Sequence, residues 1–172
     1  MESKATAAVG GIFNIQIKDA NGNVRDEFAC ENLVVDDGLD YILNAAFAAG
    51  ATAQISSWYL GLINDQHTPA AASTMANVGA GSVEVTAYTP ASHPAYTPNG
   101  ATTAQTISNS DNAATFTITA DSTAVRGLFV TDQSAQGATT GLLLAAAQFP
   151  ADKILNTNEE LVATYTFAAA NA

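Results

Sequence analysis

Residues 56–65 read SSWYLGLIND, a short apolar run that closes on a polar turn. At period two, Trp58, Leu60 and Leu62 point one way and Tyr59, Gly61 and Ile63 the other, so both faces of this strand are expected to be buried. A helical pattern precedes the run, and a long stretch rich in Ala, Thr and Pro follows it.

The helical pattern is 37–48. Leu39, Ile42, Leu43, Ala46 and Phe47 fall at i, i+3, i+4, i+7 and i+8, a single apolar stripe expected to face the core. Asp36 is the expected N-cap, Asp37 and Asp40 favour the positive end of the helix dipole, and Gly50 is a natural stop. Capping explains all three aspartates without assigning them paired-carboxylate chemistry.

Upstream, Phe13, Ile15 and Ile17 alternate with Asn14, Gln16 and Lys18, a half-buried strand. Asp19-Ala20-Asn21-Gly22-Asn23 reads as a hairpin turn, because Asn-Gly tolerates positive φ. It lacks the later acidic ligand of a calcium loop. The return strand is expected from about Val24 to Val35.

Downstream of Asp65, four of the five prolines fall by Gly100 (Pro69, Pro90, Pro94 and Pro98), around a strand-like Ser82–Tyr88. Proline excludes a central strand. The region of about 65–105 is expected to be a long surface loop ordered against a neighbouring chain. Tyr88 and Tyr96 are its expected anchors, since tyrosine is enriched at interfaces, and His93 between them is the third expected interface residue. The last third is β: Thr115–Thr119 alternates, and Val125–Thr131 is apolar on both faces. In Gly141–Phe149 the stretch Leu142–Ala147 could be helical, but flanking Thr139, Thr140 and Pro150 favour a strand. Leu161–Phe167 alternates again. About eight strands with one early helix imply a mainly β fold, a jelly-roll-like β-sandwich occupying 12–172 behind an N-terminal arm, 1–11. Both ends are expected to be held by contacts within an assembly.

Composition bounds the function. The chain has 172 residues, 48% hydrophobic but only 12% charged, against roughly 25% charged in ordinary domains. Such a neutral exterior suits a chain that buries part of itself against neighbours, or simply a plain neutral surface. The net charge is −11, with Lys4, Lys18, Arg25, Arg126 and Lys153 the only bases, so neither nucleic acid nor an anionic membrane surface is an expected partner. MESKATAAVGG has no apolar signal core, and the later apolar runs are too short to cross a bilayer. Cys30 is the single cysteine and is expected to be a buried core thiol. His67 and His93 lie beside proline-rich sequence, and no serine elbow, His-Glu-x-x-His helix or phosphate loop stands near them. Both histidines are read as ordinary polar loop residues in preference to zinc ligands. No cofactor, no metal and no enzymatic activity are expected.

Six segments in order carry a resemblance: ENLVVDDGLDYIL (31–43), WYLGLIND (58–65), VTAYTPASHPAYTP (85–98), AVRGLFVTD (124–132), LAAAQF (144–149) and LVATYTF (161–167). Together with the opening strand pair, their order from about Ile12 to Phe167 resembles the cement or decoration proteins of tailed-bacteriophage capsids. The resemblance implies a virion structural protein on the outer capsid surface. It would bind the major capsid protein, self-associate as a homodimer or homotrimer, and carry no catalytic residues. The alternative is a tail-fibre or baseplate module that binds a receptor or glycan. Such a module wants exposed aromatics at one end, whereas Trp58 reads as core.

Overall fold

The computed structural model describes residues 7–48, 50, 52–64, 66–100 and 104–171. The first strand, β1 (Ala7–Lys18), follows its alternation: Phe13, Ile15 and Ile17 are buried and Asn14 faces water. It begins five residues earlier than expected. Residues 7–11, assigned on sequence to the arm, pair with 167–171 near the C-terminus. Residues 1–6 of the arm lie outside the described residues. The turn after β1 is closed by the Asp19 carboxylate, whose Oδ1 accepts the backbone N–H groups of Asn21 (2.8 Å) and Asn23 (2.9 Å), with Gly22 at φ +84°. That carboxylate is occupied by its own turn, the hairpin reading of this segment.

The return strand is split. β2 (Val24–Glu31) pairs with β1, and β3 (Leu33–Val34) pairs in a different sheet, so the chain changes layer at Asn32. The first helix, α1 (Asp36–Phe47), follows. Then come β4 (Trp58–Ile63), a four-residue helix α2 (Met75–Val78), and three two-residue strands: β5 (Glu84–Val85), β6 (Tyr88–Thr89) and β7 (Ala95–Tyr96). The remainder is β8 (Thr106–Ser108), β9 (Ala114–Ile118), β10 (Thr123–Thr131), β11 (Leu143–Leu155) and β12 (Glu160–Asn171). Gly141–Phe149 is thus strand, as its flanks implied. β11 continues past Pro150, where the register against β10 shifts, a position that tolerates proline.

Two antiparallel sheets form a β-sandwich. One runs β2-β1-β12-β9-β6 with β8 also on β12, and the other runs β3-β11-β10-β4-β5 with β7 also on β4. The main core lies between them and includes Phe13, Phe116, Leu161 and Tyr165 from one layer and Leu60, Leu62, Leu128 and Val130 from the other. Each such side chain contributes about 2 kcal/mol on burial. A second cluster covers the opposite face of the second sheet: Val35, Ile63, Met75, Val78, Phe129, Leu143 and Ala146. This explains why WYLGLI is apolar on both faces. Leu60 and Leu62 enter the main core and Ile63 the second cluster, while Gly61 leaves room for the ring of Phe129, its partner across the ladder.

The stretch after Asp65 is therefore not a free surface loop. Met75, Val78 and Val83 bring it into the second cluster, and β5, β6 and β7 tie it to both sheets. A capping box between Thr74 and Asn77 starts α2. Among the described residues, no helix is long and apolar enough to cross a membrane.

Candidate interaction surface

The three residues expected at an interface occupy three different environments. Tyr88 is 3% exposed and meets Phe116 edge-on at 4.9 Å. Burial drives its phenol pKa far above the usual range. Tyr88 is core, and the expectation of an exposed anchor is corrected. β6 pairs it opposite Ile118, and that register turns its ring inward.

His93 is also buried, at 2% exposure. Its Nδ1 donates to the Gln133 carbonyl at 2.7 Å, its Nε2 shares a proton with Glu84 Oε1 at 2.7 Å, and its ring stands edge-on to Phe129. Glu84 Oε2 accepts the Gly137 backbone N–H at 2.8 Å. The partners fix the proton count. A carbonyl only accepts, so Nδ1 carries a hydrogen. The Nε2···Oε1 contact then holds one proton, whether on imidazolium or on carboxylic acid. The pair is neutral overall and fully bonded, the condition under which such groups tolerate burial. It clamps the 84–93 segment to 133–137. His93 does lie in a loop, but buried and bonded within the fold, so its expected place at an interface is corrected.

Tyr96 alone stays at a boundary. It is half-buried, its hydroxyl donates to the Ile107 carbonyl at 3.1 Å, and burial pushes its pKa up to about 12. It lines a cavity of about 330 Å³ between the ends of the two sheets, together with Tyr41, Ile42, Trp58, Tyr165 and Phe167. Among the described residues no charged side chain lines it. Trp58, read as core, is a half-buried wall of this cavity and stands edge-on to Tyr41 at 5.4 Å. Tyr41 is held in turn by the Ile55 backbone N–H, which donates to its hydroxyl at 2.8 Å.

Beside this cavity α1 presents the main surprise. Its N-cap is Val35, and Asp36 and Asp37 sit inside the first turn, so the expected Asp36 cap is corrected. Within the helix only Gly38 is buried; its backbone lies against the Leu144 carbonyl of β11, where a Cβ would collide. That close approach sets the helix's rotation. Tyr41 and Ile42 turn toward the sandwich, and Leu39 (37% exposed), Leu43 (56%) and Phe47 (84%) turn to solvent. The stripe expected in the core is largely outside.

No protein-family model matches this chain, and no curated protein matches it.

The remaining candidates are structural. His67 Nε2 and the buried Ser73 Oγ are 3.1 Å apart. Ser73 Oγ also accepts the Ala70 N–H at 2.9 Å within the turn before α2, and among the described residues no carboxylate bonds the other ring nitrogen. Among the described residues no group of three His, Cys, Asp or Glu side chains could hold a metal. Cys30 is buried, and burial pushes its thiol up to about 11. The arrangement offers a neutral aromatic cavity and an apolar helix ridge, both suited to adhesion. Sequence periodicity located the ridge but assigned it inward. Glu84 and the cavity role of Tyr41 had no signal in the sequence.

Proposed function

We propose that this chain is a structural component of a tailed-phage virion, a cement protein that binds the outer face of the head and bridges major capsid subunits. The observation that carries the reading is the solvent-facing ridge Leu39–Leu43–Phe47 on a helix of an otherwise well-packed domain. Large apolar side chains aligned at i, i+4 and i+8 in water favour a protein partner. The low charge content supports it, since few charges need to be desolvated at a contact, and the net charge of −11 favours a site away from packaged DNA. The ordered resemblance from about Ile12 to Phe167 supplies the choice of shell. Binding only the assembled shell adds stability to it by mass action. The chain's role in this reading is adhesive, without catalysis.

The test is the copy number of the chain in purified particles, set against the major capsid subunit. A ratio that an icosahedral lattice allows is expected. A count of a few to tens per particle would contradict it and favour a tail position.

The aromatic cavity favours that second reading, a receptor- or glycan-binding module. Trp58, Tyr41 and Tyr96 gather at one end of the sandwich, and aromatic faces are common in such sites.

A further inference from the structure

We infer that α1 is the element that docks on the shell, and that its seat is an apolar groove with one wall of lysine or arginine side chains. The inference rests on the cement reading above and assigns the surface and chemistry of the contact.

The helical phase gives the geometry. Leu39, Leu43 and Phe47 form one solvent-facing ridge. Asp36 and Asp40, one turn apart, form a parallel exposed row beside it. Among the described residues no lysine or arginine pairs with either aspartate. No basic side chain occupies the last turn either, so the negative end of the helix dipole, next to Phe47, also lacks a cation. A partner that covers the ridge must therefore place apolar side chains against Leu43 and Phe47. It must also place cations along the aspartate row and at the helix end.

A second copy of this chain does not meet that demand. It has five basic residues. Arg25 is paired with Glu159 (3.0 Å), Arg126 with Asp152 (3.2 Å) and Lys153 with Asp26 (2.8 Å). Lys18 stands opposite Glu160 in the β1–β12 ladder. That leaves Lys18, which forms no ion pair among the described residues, and Lys4, outside them, as the two spare bases of a chain whose net charge is −11. Two chains at −11 each also repel. The occupant is a different protein, with the opposite charge around its groove.

The test uses heads of the phage that encodes the chain, prepared without it, and the full-length recombinant protein. Wild type is expected to bind saturably and to weaken as salt rises. Leu43→Ser/Phe47→Ser is expected to lose more than about tenfold in affinity, as central apolar anchors do. Asp36→Asn/Asp40→Asn is expected to bind less tightly at low salt and to show a flatter salt dependence. Ile154→Ser, on β11 and 52% exposed, is the control and is expected to bind as wild type. All of these side chains are exposed, and thermal melts check that each variant is folded. If wild type does not bind heads, the cement reading fails and this inference fails with it. If wild type binds and Leu43→Ser/Phe47→Ser binds equally well, the docking assignment alone is overturned. An unchanged salt profile in the aspartate variant overturns the basic wall. A change in the protein's own oligomeric state on mutating the ridge, with head affinity intact, overturns the choice of partner in favour of a second copy.

Discussion

Glu84 with His93 and the helix α1 both lean on the second sheet, yet each places its side chains against its hydropathy. In the first, a glutamate and a histidine are enclosed, each polar atom matched by a partner at 2.7–2.8 Å. In the second, a leucine pair and a phenylalanine stand in water while a glycine makes the closest contact. The comparison teaches that burial follows the satisfaction of polar groups and the closest approach of backbones as much as it follows apolar character. It also separates two kinds of region. The clamp's polar groups are bonded within the fold, whereas the helix retains unburied apolar area, the surface on which the proposed docking rests.

The clamp gives the largest expected effect. His93→Ala leaves Glu84 buried without its proton partner and should cost about 3–5 kcal/mol of stability in denaturant unfolding. Glu84→Gln should cost only about 1 kcal/mol, because the amide can donate to Nε2 and still accept from Gly137. Equal losses for the two would break the account of the clamp.

Next comes the helix contact. Gly38→Ala pushes a methyl into the Leu144 carbonyl and should cost about 1–3 kcal/mol, by forcing α1 away from β11. A neutral result would show that another contact sets the helix rotation.

Titration tests burial on a finer scale. Cys30 and Tyr96 have pKa values raised to about 11 and about 12 by burial, against unfolded values of about 8.5 and 10. Their contribution is fully present below pH 8.5 and is lost as pH rises toward 12. Melting temperature should therefore fall across that window. Asp26 behaves oppositely. The Lys153 hydrogen bond holds its carboxyl below the usual range, so its contribution is present above about pH 4 and lost as pH falls further.

The smallest expected effect sharpens the contrast most. Leu43→Ser/Phe47→Ser should shift stability by no more than about 0.5 kcal/mol per site, measured by thermal melt, as surface positions do. A loss of several kcal/mol would place that ridge in the core after all.

Much of the sandwich was legible because alternation is a local property. Phe13, Ile15 and Ile17 point inward as the period of two requires, and WYLGLI carries apolar residues on both faces because two clusters cover it. Burial of Tyr88 and His93 was not legible. It depends on Phe116 and on Glu84, Gln133 and Phe129, which the chain supplies from separate elements. The rotation of α1 was hidden for a related reason. A stripe of five apolar positions shows which face is hydrophobic, but the contact of Gly38 with β11 decides which face is covered. Asp65 and residues 101–103 of the expected long loop lie outside the described residues.

The most direct test of the central claim is a cryo-EM map of the intact particle, at a resolution that places helices. The account predicts this chain on the outer face of the head, with α1 against the shell and lysine or arginine density beside Asp36 and Asp40. Finding the chain on heads with α1 in solvent, or finding it only at the tail, would contradict it.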